Sequence, residues 1–147
     1  FTIIVWVRPT SSQFMEFLGN GTDSTSGYRL FMPAGGGNLC RLMTSQVGAN
    51  QTNESFSNAV AINSWNCICA VRSGASGKIY INDIDQTNGA ATHLNPDSSA
   101  QPVRLGIYTD EIIGTFIGTF GEAFVFNRAL TIPGKTLVYQ QTKWRYQ

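Results

Sequence analysis

Short blocks in which apolar and polar residues alternate run along the chain, separated by turns rich in Gly, Asn and Ser, and each block has the length of a strand. Residues 1–8, F-T-I-I-V-W-V-R, are dense in β-branched and aromatic side chains and stop at Pro9, which has no N–H to give a ladder, so they predict a strand. A second strand is expected at 14–18, followed by a polar turn over 19–27. Residues 28–32 and 39–45 form the arms of a hairpin whose loop, 33–38, carries Gly35, Gly36 and Gly37 to supply positive φ angles. Residues 50–57 read as a polar loop and 59–62 as a short strand. The segment 64–82 reads as a strand, a Ser/Gly turn and a return strand. Residues 87–102 lack apolar pattern and predict a surface loop, with a brief strand at 92–94, before a further strand over 103–108. In 116–130, F-I-G-T-F-G-E-A-F-V-F-N-R-A-L, Phe120, Glu122, Phe124 and Phe126 share one parity. Gly121, Ala123 and Val125 share the other, so this strand carries apolar groups on both faces and sits inside a sandwich. Thr131 is placed to cap a helical turn with Pro133 inside it, and 135–147 fits either a helix or a strand. Trp144 and Tyr146 are expected to need burial.

Composition narrows this to one all-β domain. The 147 residues are 42% hydrophobic and only 13% charged, with 15 glycines, which suits many short strands and turns. A net charge of +1 supplies no field for nucleic acid, and no apolar run reaches the length of a membrane span. Of the three cysteines, Cys67 and Cys69 are two apart on one strand face and cannot easily close on each other, while Cys40 reaches them only if the strands are neighbours. Small buried thiols are the expectation. The single histidine, His93, leaves no zinc set and no nucleophile–base pair, and reads as a solvated loop residue.

The 116–130 phrase resembles a signature of the laminin-G-like, concanavalin-A-like lectin/glucanase domains, F-x-G-x-[IF]-x-E-[VA]-x-[VI]-[YF]-N-R-A-L. Three further phrases are similar. Phe1, Thr2, Ile3, Trp6, Val7, Arg8 and Pro9 stand in the places of F-T-[IL]-x-x-W-[VI]-[KR]-P, and Trp65, Gly77, Lys78, Ile79, Tyr80, Ile81 and Asn82 match a Trp-opened strand and its G-K-[IV]-Y-[IV]-N return. V-R-L-G at 103–106 resembles the family's L-R-[IL]-G. The resemblance implies an antiparallel two-sheet jelly-roll sandwich over 1–147, lacking here the family's earlier first strand and belonging to a longer chain. It places Trp6 and Trp65 in the core, and Phe120, Phe124, Phe126, Leu105 and Ile79 are expected to be buried with them. It also implies a non-catalytic carbohydrate-binding or adhesion module outside the cell. The alternative is a structural or decorative domain of a virus particle or extracellular filament, and in either case an assembly with other protein subunits is expected.

Candidate chemistry is sparse. Sugar recognition needs aromatic faces and Asn or Asp acceptors on loops, and Asn20, Asp23, Tyr28, Asn88, Tyr108 and Asp110 are of those types. Related domains often hold calcium with loop carboxylates. Asp23, Asp110, Glu111 and Glu122 are the candidates here, although Gly121 stands where the family commonly has Asp. Asp83 and Asp85 form the only close acidic pair on a strand end, but the E-x-D-x-x-E phrase of the laminarinase-like enzymes is missing, so a hydrolase is the remote reading. The sequons at Asn20, Asn50 and Asn53 carry little weight in a chain so rich in Asn, Ser and Thr.

Overall fold

The computed structural model describes residues 1–89, 91–108 and 113–147. Its strands in chain order are β1 (Thr2–Pro9), β2 (Met15–Gly19), β3 (Tyr28–Met32), β4 (Arg41–Gln46), β5 (Ala49–Ser55), β6 (Asn66–Ser73), β7 (Ser76–Ile81), β8 (Ile84–Asp85), β9 (Thr87–Asn88), β10 (Arg104–Leu105) and β11 (Gly118–Phe126). They form two antiparallel sheets, β11-β1-β6-β7-β8 and β10-β2-β3-β4-β5-β9, packed as the jelly-roll sandwich that the strand pattern and the resemblance lead one to expect. A helix, α1 (Ile132–Thr142), and a 3-10 turn (Lys143–Arg145) complete the described chain.

Alternation builds the core between the sheets. Ile3, Val5 and Val7 of β1, Ile68 and Ala70 of β6, and Ile79 and Ile81 of β7 meet Met15, Phe17, Leu30, Met32 and Leu42 from the other sheet. The opposite parity of β1 and β6 carries Ile4, Trp6, Cys67, Cys69 and Val71 to a second apolar layer, covered by Val138 and Tyr139 of α1 and by Tyr146. β1 and β6 are thus buried on both faces over most of their length, while the edge strands β11 and β8 remain partly exposed. Thr131 caps α1 by accepting from the Gly134 N–H at 3.3 Å, with Pro133 in the first turn.

Several expectations change. Residues 50–57 are not a loop: β5 pairs with β4 from Arg41↔Glu54 to Gln46↔Ala49. Its inward side chains are polar and satisfied, with Asn53 and Ser55 fully buried, so the apolar signal for a strand is missing although the pairing is regular. Residues 59–62 and 92–94 form no strand, although Val60 is buried in the core. A register shift between Val5 and Val7 separates the aromatics of β11 that share one parity: Phe120 faces the inter-sheet core, whereas Phe124 and Phe126 lie under α1. Leu105, expected inside, is half exposed because β10 is a two-residue edge strand. Trp144 projects from the 3-10 turn and is 67% exposed. His93 is buried, not solvated. Cys40 lies between the sheets and Cys67 and Cys69 beneath the helix, and all three are free. Burial pushes all three thiols up, so they stay protonated and inert.

Candidate functional site

α1 covers the outer face of the five-stranded sheet over β1 and β6, while on the outer face of the six-stranded sheet Glu16, Arg29, Phe31 and Met43 are buried in turn, with Asp23, Tyr108 and Phe14 reaching solvent at the rim. In β3, Leu30 and Met32 point inward, so Arg29 and Phe31 point outward, and the pairings Arg29↔Met43 and Phe31↔Arg41 continue that face across β4. A register shift between Glu16 and Leu18 bends β2 and brings Glu16 against Arg29.

Arg29 is the centre of this face and is only 2% exposed. Its Nε donates to both Glu16 oxygens at 3.2 Å and its Nη2 donates to Glu16 Oε2 at 2.8 Å, while Nη1 pairs with Asp23 Oδ1. Its guanidinium carbon sits 4.0 Å from the Tyr108 ring centroid, 4.6 Å from that of Phe31 and 5.7 Å from that of Phe14. Burial pushes the Glu16 carboxyl up, to about 7, against the pull of the guanidinium. The Asp23 side chain is 54% exposed, and its backbone N–H donates to the Tyr108 hydroxyl at 3.4 Å. A groove of about 510 Å³, lined by Gln13, Phe14, Ala34, Ile113, Gly114 and Thr115, opens beside Phe14. Gly114 is needed there: its φ is +71°, and a Cβ would meet the Phe14 ring at 2.6 Å.

Of the residues singled out in the sequence, Asp23 and Tyr108 are brought together at the rim of this cluster. Asn20 is turned to structural work, its Oδ1 accepting from the Tyr28 N–H at 3.3 Å. The Tyr28 ring packs on Phe1 at 4.8 Å and faces the core, away from this surface. Asn88 lies on the same outer face at the far edge, opposite Glu54. Asp110 and Glu111 lie outside the described residues. Glu122 is on the other side of the sandwich, paired with Arg145, and so cannot share a cation with Asp23. Among the described residues no group of three or more metal-capable side chains comes together. Asp83 and Asp85 are engaged with Lys135 at 2.5 Å and Lys78 at 3.1 Å. The sequon at Asn53 is sealed inside the protein.

Pattern reading missed Phe14, Glu16, Arg29 and Phe31. The signal was faint: one Glu and one Arg, each interrupting an otherwise apolar strand, on neighbouring strands.

The chain belongs to the concanavalin A-like lectin/glucanases superfamily, whose family model matches residues 1–133. No curated protein matches the sequence. Among solved structures, the CBM40 of the Ruminococcus gnavus IT-sialidase, bound to α2,3 sialyllactose, is similar with a TM-score of 0.71 at 16% identity, over 94% of this chain and 81% of that one. Domain 4 of AbnA, a GH43 extracellular arabinanase from Geobacillus stearothermophilus in complex with arabinotriose, has a TM-score of 0.70 at 18% identity, over 95% of this chain and 66% of that one. The receptor-binding domain of botulinum neurotoxin D has a TM-score of 0.66 at 16% identity and covers 95% of this chain, which spans only 36% of that domain. At these identities the likeness is one of fold.

Proposed function

We propose that this domain is a non-catalytic glycan-binding module, working outside the cell, whose ligand meets the outer face of the six-stranded sheet. The observation that carries the reading is the Tyr108 ring resting on the buried Arg29, with Asp23 joined to both, its backbone N–H donating to the Tyr108 hydroxyl and its half-exposed carboxylate paired with Arg29. A fixed aromatic ring gives a stacking surface for the C–H face of a sugar, and an adjacent carboxylate accepts from its hydroxyls. The carbohydrate-bound modules among its structural neighbours support the same class. Catalysis finds no support in the acids: Asp83 and Asp85 are held by lysines at a hairpin end, and Glu16 is sealed from solvent against Arg29.

A glycan array tests this, run with and without chelator so that any calcium requirement is read at once. Binding that Tyr108→Ala and Asp23→Ala each weaken by about tenfold or more supports the module. Silence from folded protein across the array defeats it and leaves the structural domain of a particle or filament as the reading.

A further inference from the structure

The charges and rings of this face also say what kind of glycan fits it, an inference that rests on the binding reading above. The cation under the platform is already committed. Arg29 spends its fork on Glu16 and Asp23 and is sealed from solvent. Arg104, which lies across Gly19 from Arg29 on the same face, is engaged as well. Farther along, Arg41 is paired with Glu54. Of the described charges at the platform the Asp23 carboxylate is the most exposed, even while paired with Arg29, and it favours hydroxyl donors over a sialate or uronate.

The second feature is length. Tyr108 and Phe14 flank one guanidinium, at 4.0 and 5.7 Å from its carbon, so their ring centres stand no more than about 10 Å apart. Both rings therefore lie within reach of two linked sugar rings, and the groove opens beside Phe14. We propose that the ligand is an uncharged oligosaccharide at least two rings long, one ring on Tyr108 with Asp23 accepting its hydroxyls and the next in the groove beside Phe14. Phe31, wedged edge-on to Phe14 with ring centroids 5.9 Å apart, fixes the floor between the two positions.

The test is an array that prints neutral glycans beside sialylated and uronate-bearing versions of the same backbones, followed by calorimetry with the mono-, di- and trisaccharide of the best neutral backbone. Expected are binding to neutral members, no gain from the acidic group, and a monosaccharide about tenfold weaker than the disaccharide, the loss of one stacked ring. Phe14→Ala should narrow or abolish the advantage of the disaccharide over the monosaccharide. Because Phe14 also packs on Phe31, Ala34→Trp, an exposed groove position, provides a second variant that blocks the groove without touching the core. Tyr108-dependent binding confined to acidic glycans would overturn the inference while leaving the module reading intact. So would equal affinity for one ring and two with Ala34→Trp silent. Silence across the whole array removes both.

Discussion

The indole N–H of Trp6, on the outward parity of β1, donates to the Thr142 hydroxyl in the last turn of α1 at 2.9 Å, and Thr142 in turn donates to the Val138 carbonyl at 2.8 Å. This buried bond joins the second residue layer of the sheet to the helix that covers it, with the Trp6 ring stacked between Tyr139 and Tyr146. Thr142→Val keeps the shape and removes the acceptor, leaving a buried indole N–H unpaired. It is expected to cost about 1–3 kcal/mol in urea unfolding, and Thr142→Ser to restore most of that. An unchanged midpoint in Thr142→Val would mean that the helix is held by apolar packing alone.

A second latch joins the same helix to the β7–β8 hairpin. Asn82 and Asp83 both have positive φ, 52° and 69°, the geometry of a two-residue type I′ turn. The Asp83 carboxylate accepts from Lys135 Nζ at 2.5 Å and from the Thr136 hydroxyl at 2.9 Å, and Nζ also sits 4.0 Å over the Tyr80 ring. Asp83→Gly suits the turn but takes the carboxylate from an ammonium that is 4% exposed, leaving it the residue-83 carbonyl at 3.2 Å and the Tyr80 ring, so it should cost roughly 3 kcal/mol. Lys135→Met leaves a carboxylate that water and Thr136 can serve, and should cost less. The reverse order in thermal melts would assign the role of Asp83 to the turn instead of the ion pair.

His93 gives the fold an acid-sensitive seam. Its Nδ1 lies 2.8 Å from Thr44 Oγ1 and its Nε2 bonds Asn53 Oδ1, tying the loop after β9 to β4 and β5. Burial, with the charge of Arg72 added, lowers its pKa from 6.5 to about 4. Between those values the unfolded chain holds a proton that the folded chain refuses, so stability is full above pH 6.5 and is lost as pH falls toward 4. The loss is on the order of 1–2 kcal/mol after allowance for solvent screening. His93→Gln should flatten that slope of unfolding free energy against pH, and an unaltered slope would place its origin in the carboxylates.

Of the strands, β1, β3, β6 and β7 were legible because their buried positions are mostly apolar, β7 with clean alternation besides. β5 was not, because Gln51, Asn53 and Ser55 face inward and are satisfied by Thr44, His93, Gly89 and Cys40, partners that are distant in the chain. The helix was ambiguous for a related reason: Leu137 is exposed while its neighbours Val138 and Tyr139 pack inward, so the apolar residues trace no single stripe. The candidate site was half legible. Asp23 and Tyr108 are loop residues of the expected types, but what holds them, Arg29 with Glu16 beneath, depends on a bulge in β2 that no local pattern announces.

Gly121, which stands where the resembled family commonly has Asp, has a physical reason in Tyr146. The Tyr146 ring stacks on Trp6 at 4.4 Å and its hydroxyl accepts from the Glu122 N–H at 3.0 Å, so it lies directly across β11. A Cβ at position 121 would stand 2.5 Å from that ring, closer than real contacts allow. An aspartate there and a tyrosine at 146 therefore exclude one another. Gly121→Asp is expected to drive the ring off Trp6, to change the tryptophan emission, and to destabilise the fold by about 1–3 kcal/mol. Tyr146→Ala alone loses the stacking and the hydrogen bond, a cost of similar size. Because both changes remove the same contact, the double variant should be no less stable than Gly121→Asp alone, a strong departure from additivity. Additive losses in the double variant would show that Gly121 is required by the backbone of β11 and not by Tyr146.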